Sequence, residues 1–198
     1  MEERIKKLLE QEAGAINHIP ITDAYEKTIE LFHDYVHKRH GKLITSGMGK
    51  AGQIGENIAT TFSSTGTSAV FLHPSDAQHG DLGVVQENDI ILLISNSGRT
   101  REILELFKLS RNLYSDIPIV VLTGNKNSPL GELADIVLLT GNPDEVCPLG
   151  LTPTTSTTTM TVIGDILVVL MMEKIKFTNQ DYAKRHHGGY LGQKSRQT

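Results

Sequence analysis

Cysteine is almost absent from this chain of 198 residues: Cys147 stands alone, which excludes an intramolecular disulfide framework and suits a reducing compartment, the cytoplasm. An excess of positive charge is also missing. Nineteen Lys and Arg face 23 Asp and Glu, for a formal net charge of −4 and a pI near 6.0, so the global attraction expected of a nucleic-acid or anionic-membrane binder is lacking. The N-terminal MEERIKKLLEQEAG mixes charged with apolar residues and has no uninterrupted hydrophobic region, and no stretch reads as the ~20 apolar residues of a membrane span. Neither export nor insertion is expected. No internal repeat of fixed period occurs, and TPTTSTTTMT is the only compositionally biased run. With 38% hydrophobic residues, what is left suits one soluble α/β domain with a substantial core.

Residues 2–13 and 22–40 have helical spacing: Ile5, Leu8 and Leu9 share a face of the first segment, and Tyr25, Ile29, Phe32 and Val36 a face of the second. Thr22 and Asp23 are candidate N-caps of the second helix and Gly41 its stop. From residue 42 the pattern changes to short apolar runs ending in small or polar residues: KLITSG, SAVFLH, DIILLISNSG, PIVVLTG and DIVLLTG. Their near-continuous Ile, Val and Leu content predicts five strands covered on both faces, with helices over 50–63 and 100–112 between them. Alternating strand and helix implies a right-handed, three-layer α/β sandwich on a parallel, flavodoxin-like sheet. A loop, GNPDEVCPLGLTP, leads to a long helix through about residue 173, then a short helix and a Gly-rich tail over 186–198.

In an open parallel sheet the ligand lies beyond the carboxyl ends of the strands. Three groups of residues fall there. In TSGMGKAG, Gly47, Gly49 and Gly52 fit the dinucleotide pattern G-x-G-x-x-G, but the second strand ends at Leu72 and His73, without the acid that would hold a ribose. A Walker loop is excluded by the spacing and by Ala51 in place of Ser or Thr. The second group, Ser95-Asn96-Ser97-Gly98-Arg99-Thr100, offers hydroxyls, a glycine for close approach and a helix N-terminus, the chemistry of a phosphate site; Ser46 and Gly47 in the first loop add to it. The same residues also suit an ordinary capped helix start, and the Thr-rich run is as well explained by packing as by ligand contact. The third group is ionisable: Lys50, His79 with Asp81, Glu102, Glu145, and His186 with His187. Each alone is weak; their placement at one end of the sheet is the argument.

SGMGK at 46–50, HGDLG at 79–83, SNSG with Thr100 and Glu102, CPLGLTPTTSTT at 147–158 and the glycines and Leu191 of 188–192 occur in the order seen in the sugar isomerase (SIS) domain of arabinose-5-phosphate isomerases. The chain resembles that family over essentially all of residues 1–195, as a single SIS domain with a helical preamble at 1–41. The usual family form continues into a pair of CBS motifs, whereas this sequence stops at Thr198. Two positions depart from the family pattern: His186-His187-Gly188-Gly189 stands where His-Pro-Gly-Gly is usual, and Arg99 follows SNSG where Glu or Asn is common.

The resemblance implies interconversion of D-arabinose 5-phosphate and D-ribulose 5-phosphate, a step toward Kdo for lipopolysaccharide or capsule. It implies Lys50, Glu102, Glu145 and His186 as catalytic residues, and Ser46, Gly47, His79, Ser95, Asn96, Ser97 and Thr100 as substrate-binding residues. Aldose–ketose isomerisation needs a base to move a proton between C1 and C2 through a cis-enediol, donors for the oxyanion and a shuttle for hydroxyl protons; it requires no metal or redox cofactor. Glu145 is the expected base with Glu102 the alternative, Lys50 the charge stabiliser and His186, by register, the proton shuttle. The family further implies a homodimer or homotetramer in which a neighbour supplies histidines to the site. A downstream Kdo nucleotide is an expected inhibitor, and neither nucleic acid nor membrane is an expected partner. The alternatives are a non-catalytic sugar-phosphate-binding module and an isomerase of another phosphosugar. Apart from the adjacent His186 and His187, no pair among His73, His79, His186, His187 and Cys147 has the close spacing of a dedicated zinc site, and a required metal is not expected.

Overall fold

The structure is a computed structural model that describes residues 1–196. Positions 197 and 198 of the expected tail lie outside the described residues. Two helices come first, α1 (Glu2–Asn17) and α2 (Ala24–Phe32), the latter running on as a π-helical turn over His33–Lys38. Then follow β1 (Leu43–Gly47), α3 (Lys50–Ser64), β2 (Ala69–Phe71), the short α4 (Pro74–Ala77) and a 3-10 turn over Asp81–Val84. After these come β3 (Ile90–Ile94), α5 (Arg101–Leu113), β4 (Ile119–Thr123), α6 (Pro129–Leu133) and β5 (Ile136–Leu139). The long α7 (Thr155–Lys174), α8 (Asn179–Arg185) and α9 (Gly189–Lys194) complete the described chain.

The five strands are all parallel, in the order β2-β1-β3-β4-β5. This is the expected flavodoxin-like sheet. Its layering follows from the period-2 alternation of strands: in β3, Ile90, Leu92 and Ile94 enter one core with Phe32, Phe62, Ile163 and Leu167, while Ile91 and Leu93 enter the other with Ile103, Leu106 and Leu130. The preamble helices, α3 and α7 therefore cover one face, and α4, α5 and α6 the other. Chain direction across the sheet reverses between β1 and β3, so the loops leaving these strands diverge and open a crevice.

Three local expectations are corrected. The second preamble helix does not stop at Gly41: His40 takes the left-handed conformation (φ 57°), and Gly41 is needed because a Cβ there would lie 1.9 Å from the Asn88 carbonyl oxygen. Asp23 makes no side-chain cap; Thr22 accepts the Ala24 N–H at 3.3 Å, and Asp23 pairs instead with Lys27. Finally, α7 is 20 residues long with a mean hydropathy of 1.5 in its most apolar window, so by length and composition it could cross a membrane. Here half of that window is buried, with Thr159, Ile163, Leu167 and Met171 facing the core and Val169 exposed. Gly164 lets α7 lie close on α3, since a Cβ there would meet Ile58 Cγ1 at 2.5 Å.

Candidate active site

A cavity of about 800 Å³ lies beyond the carboxyl ends of the strands. Its walls are the turn after β1 (Met48, Lys50), the loop after β3 (Ser95 to Ser97, Arg99, Thr100), the turn after β4 (Gly124, Asn125), the loop after β5 (Asn142 to Glu145) and the first turns of α7 (Ser156, Thr157, Met160). Lys50 and Arg99 are both exposed, and with Asp144 and Glu145 they put two cations and two carboxylates into its lining.

The β3–α5 loop is shaped to receive an anion. Gly98 is left-handed (φ 62°), and a Cβ there would lie 1.9 Å from Ser128 Oγ, so only glycine fits. The turn closes through Gly98 N–H to Ser95 O at 3.1 Å and to Ser95 Oγ at 3.2 Å, and Ser95 Oγ lies 2.9 Å from Thr100 Oγ1. Ser97 Oγ accepts the Arg99 N–H at 3.2 Å, leaving its own proton available. Thr100 is the N-cap of α5 but makes no side-chain cap bond, so the first N–H groups of a 13-residue helix point outward with the positive end of its dipole. The capped-helix reading is only half met, since the helix starts here without a side-chain cap and its N–H groups are free to meet an anion.

Glu145 faces this loop across the cavity and is fixed by the N-terminus of α7. Its Oε2 accepts Thr154 N–H (2.6 Å), Thr154 Oγ1 (2.9 Å) and Ser156 N–H (3.3 Å), and Oε1 accepts a short bond from Ser156 Oγ. Burial works to raise its pKa, but the bonds from Ser156 and Thr154 together outweigh it and hold the carboxyl below the ordinary glutamate range. The side chain is thus an ionised carboxylate in one orientation. Oε1 has a single donor, which leaves acceptor capacity toward the cavity. In the Thr-rich run that sequence left undecided, Thr154 and Ser156 hold Glu145, Ser156 and Thr157 line the cavity, and Thr155 and Thr159 are buried.

Of the expected site residues, Lys50, Ser95, Asn96, Ser97, Thr100 and Glu145 are brought together at this cavity. The others lie elsewhere in the single chain. Ser46 is fully buried and donates to the Leu72 carbonyl at 2.6 Å, which ties β1 to the chain leaving β2. Gly47 packs the β1–α3 turn, where a Cβ would lie 2.6 Å from the Ala51 oxygen. Glu102 is in the first turn of α5 and is not among the residues lining the cavity. His79 is exposed in the turn after α4, and His186 ends α8, stacked on Tyr182 with ring centroids 3.7 Å apart and its Nδ1 3.0 Å from the Tyr182 oxygen. Neither reaches the cavity of its own chain. Among the described residues no group of three or more His, Cys, Asp or Glu could hold a metal ion.

Sequence reasoning missed Asn125 and Asn142, polar cavity residues that follow β4 and β5. Position after a strand was the available signal. Cys147, outside the cavity lining, has a feature the sequence did not mark: its Sγ accepts Leu151 N–H at 3.2 Å and Thr152 N–H at 3.1 Å. Those N–H groups, Thr152 foremost, bring its pKa down to about 7 against an opposing effect of burial.

The SIS domain family matches residues 35–170. An arabinose 5-phosphate isomerase KdsD of Yersinia pestis is 49% identical over 155 residues, 78% of this chain and 47% of its own length. The chain thus spans about half the length of the curated relatives it matches. A Bacteroides fragilis crystal structure of a proposed phosphosugar isomerase involved in capsule formation superposes with a TM-score of 0.95 at 63% identity, covering 96% of this chain and 99% of that one. An Escherichia coli CFT073 protein in complex with arabinose 5-phosphate superposes with a TM-score of 0.86 at 32% identity, covering 93% and 96%. The chain belongs to the SIS-domain family, and its likeness there is to the arabinose 5-phosphate isomerases.

Proposed function

We propose that the protein interconverts D-arabinose 5-phosphate and D-ribulose 5-phosphate, a step toward Kdo for lipopolysaccharide or capsule. The observation that carries this reading is one cavity with an anion-binding loop on one wall and an ionised, oriented carboxylate on the other. The phosphate is held by Ser95, Ser97, Thr100 and the α5 N-terminus, which sets the far end of a five-carbon chain toward Glu145. Glu145 moves the proton between C1 and C2. A carboxylate held below its usual pKa is a weak base, so the C–H bond must be acidified by stabilising the enediolate, the role of Lys50. Glu102 lies off the cavity lining, which favours Glu145 as the base.

The site is completed by a second copy. His79 and His186 lie outside their own chain's cavity, so the proposed homodimer or homotetramer brings His186 as proton shuttle and His79 as substrate contact to a neighbour's site. The described residues form one SIS domain with a helical preamble at 1–41. No metal or redox cofactor enters the reaction. A free Cys147 fits a cytoplasmic setting. A downstream Kdo nucleotide, an anionic sugar, competes at the same phosphate loop.

The test is turnover by chelator-treated protein on arabinose 5-phosphate, with ribose 5-phosphate, glucose 6-phosphate and fructose 6-phosphate in parallel. Fast conversion of the first alone supports the proposal; turnover of another sugar only, or binding without turnover, overturns it in favour of a different isomerase or a sugar-phosphate sensor.

A further inference from the structure

We infer that Glu12, in the first helix of the preamble, is a positioning residue for Glu145, acting through Thr155. In its effect on turnover, the inference rests on the isomerase reading above. The chain of bonds is short. Val146 N–H donates to Thr155 Oγ1 at 3.1 Å, and Thr155 Oγ1 donates to Glu12 Oε1 at 2.9 Å. Its direction is forced, because a backbone N–H can only donate; the Thr155 oxygen must accept, and its proton must go elsewhere. As the first residue of α7, Thr155 has no helical carbonyl one turn behind it to take that proton. Glu12 takes it.

The cost of this arrangement argues for its use. α1 contains no fully buried residue and has ample solvent-facing surface for a carboxylate. Yet Glu12 turns inward, with Oε1 on Thr155 and Oε2 buried without a hydrogen-bond partner. A buried acceptor left unpaired opposes folding, and α1 already has Ile16 packed on the core for simple adhesion. What Glu12 adds is fixity of the peptide that follows Glu145. Thr154 and Ser156 hold the carboxylate of that residue, and Thr155, oriented by Glu12, holds its backbone. Three successive residues at the start of α7, with one carboxylate from the other end of the chain, thereby clamp one glutamate at both ends.

The experiment combines backbone amide exchange at Val146, followed by NMR on the full chain, with steady-state kinetics on arabinose 5-phosphate. The variants are Glu12→Ala, Thr155→Val, Thr155→Ser, the Glu12→Ala/Thr155→Val double and Ile16→Ala as a control for loosened packing of α1. Glu12→Ala and Thr155→Val are each expected to speed Val146 exchange by about tenfold and lower kcat by about tenfold, with KM within about twofold. Thr155→Ser keeps the relay and stays near wild type. The double variant loses no more than the worse single, as two links of one chain should. Ile16→Ala lowers the melting temperature and leaves kcat unchanged. Unaltered Val146 exchange in Glu12→Ala, multiplicative losses in the double variant, or an equal kcat loss in Ile16→Ala overturns the inference. If the wild type fails to isomerise the sugar, the functional reading falls, and amide exchange alone decides the relay.

Discussion

Replacing Glu145 by Gln separates two tasks, the capping of α7 seen in its hydrogen bonds and the proton transfer proposed for this side chain. The amide keeps one carbonyl oxygen for the Thr154 N–H, Thr154 hydroxyl and Ser156 N–H donors, while its NH₂ meets Ser156 Oγ, which rotates to accept. Charge-assisted bonds become neutral ones, and for a half-buried group that difference costs about 1–2 kcal/mol. In a chain of this size such a loss lowers the melting temperature by about 2–8 °C and leaves the fold populated at 25 °C. Loss of the base costs far more, about 10²–10⁴ in kcat, or roughly 3–5 kcal/mol of barrier. The assay is kcat and KM on arabinose 5-phosphate at 25 °C beside a thermal melt. Stability carries a further check with a definite sign. The folded-state pKa of Glu145 is depressed, so its contribution is fully present above the ordinary glutamate pKa of about 4.3 and fades as pH falls through the lower folded value. The gap in stability between wild type and Glu145→Gln is therefore flat at neutral pH and closes in acid. A variant that melts lower but keeps its kcat refutes the reasoning, leaving Glu145 as a helix cap and returning Glu102 to consideration.

Cys147 should be alkylated by iodoacetamide at a rate that rises with pH about a midpoint near 7, since the Thr152 and Leu151 N–H groups stabilise the thiolate; a midpoint at the ordinary thiol value would show that these bonds do not persist in solution. Gly98→Ala adds left-handed strain of about 1–2 kcal/mol and a contact that displaces the buried Ser128. The expected outcome is about 3 kcal/mol of lost stability together with weaker calorimetric binding of arabinose 5-phosphate, and an unchanged melt would contradict the geometry of the loop.

The sheet was legible because burial on both faces leaves near-continuous apolar runs, and the five runs from KLITSG to DIVLLTG became β1 to β5 in the expected arrangement. The short α4 and α6 and the 3-10 turn were not, for segments of four or five residues carry too little periodicity and are held by tertiary contacts such as burial of Ala77 and Leu130. The family likeness was readable from motifs after strands, and the same motifs marked the β3–α5 loop that lines the cavity. The inward turn of Ser46 was not, because a serine ending a strand carries no mark of which face it takes. Glu12 was invisible for a different reason. Its partner lies 143 residues away, and nothing in an amphipathic, charge-rich helix distinguishes one inward glutamate from its solvated neighbours.

That distance also sets when in the life of the chain the site can exist. The loop at 95–100 is held by β4 and the start of α6 as well as by β3 and α5, through Gly124 N–H to Asn96 O and Leu130 N–H to Gly98 O, but the Glu145 carboxylate has no partners until α7 is made and no fixed backbone until α7 meets α1. On a ribosome, the walls of the cavity therefore assemble in order, the 95–100 loop only once β4 and α6 have emerged, and Glu145 is fixed only after the last long helix closes back on the first. A phosphosugar bound as proposed would bridge the β3–α5 loop to the start of α7, and so would favour the finished fold over its precursors.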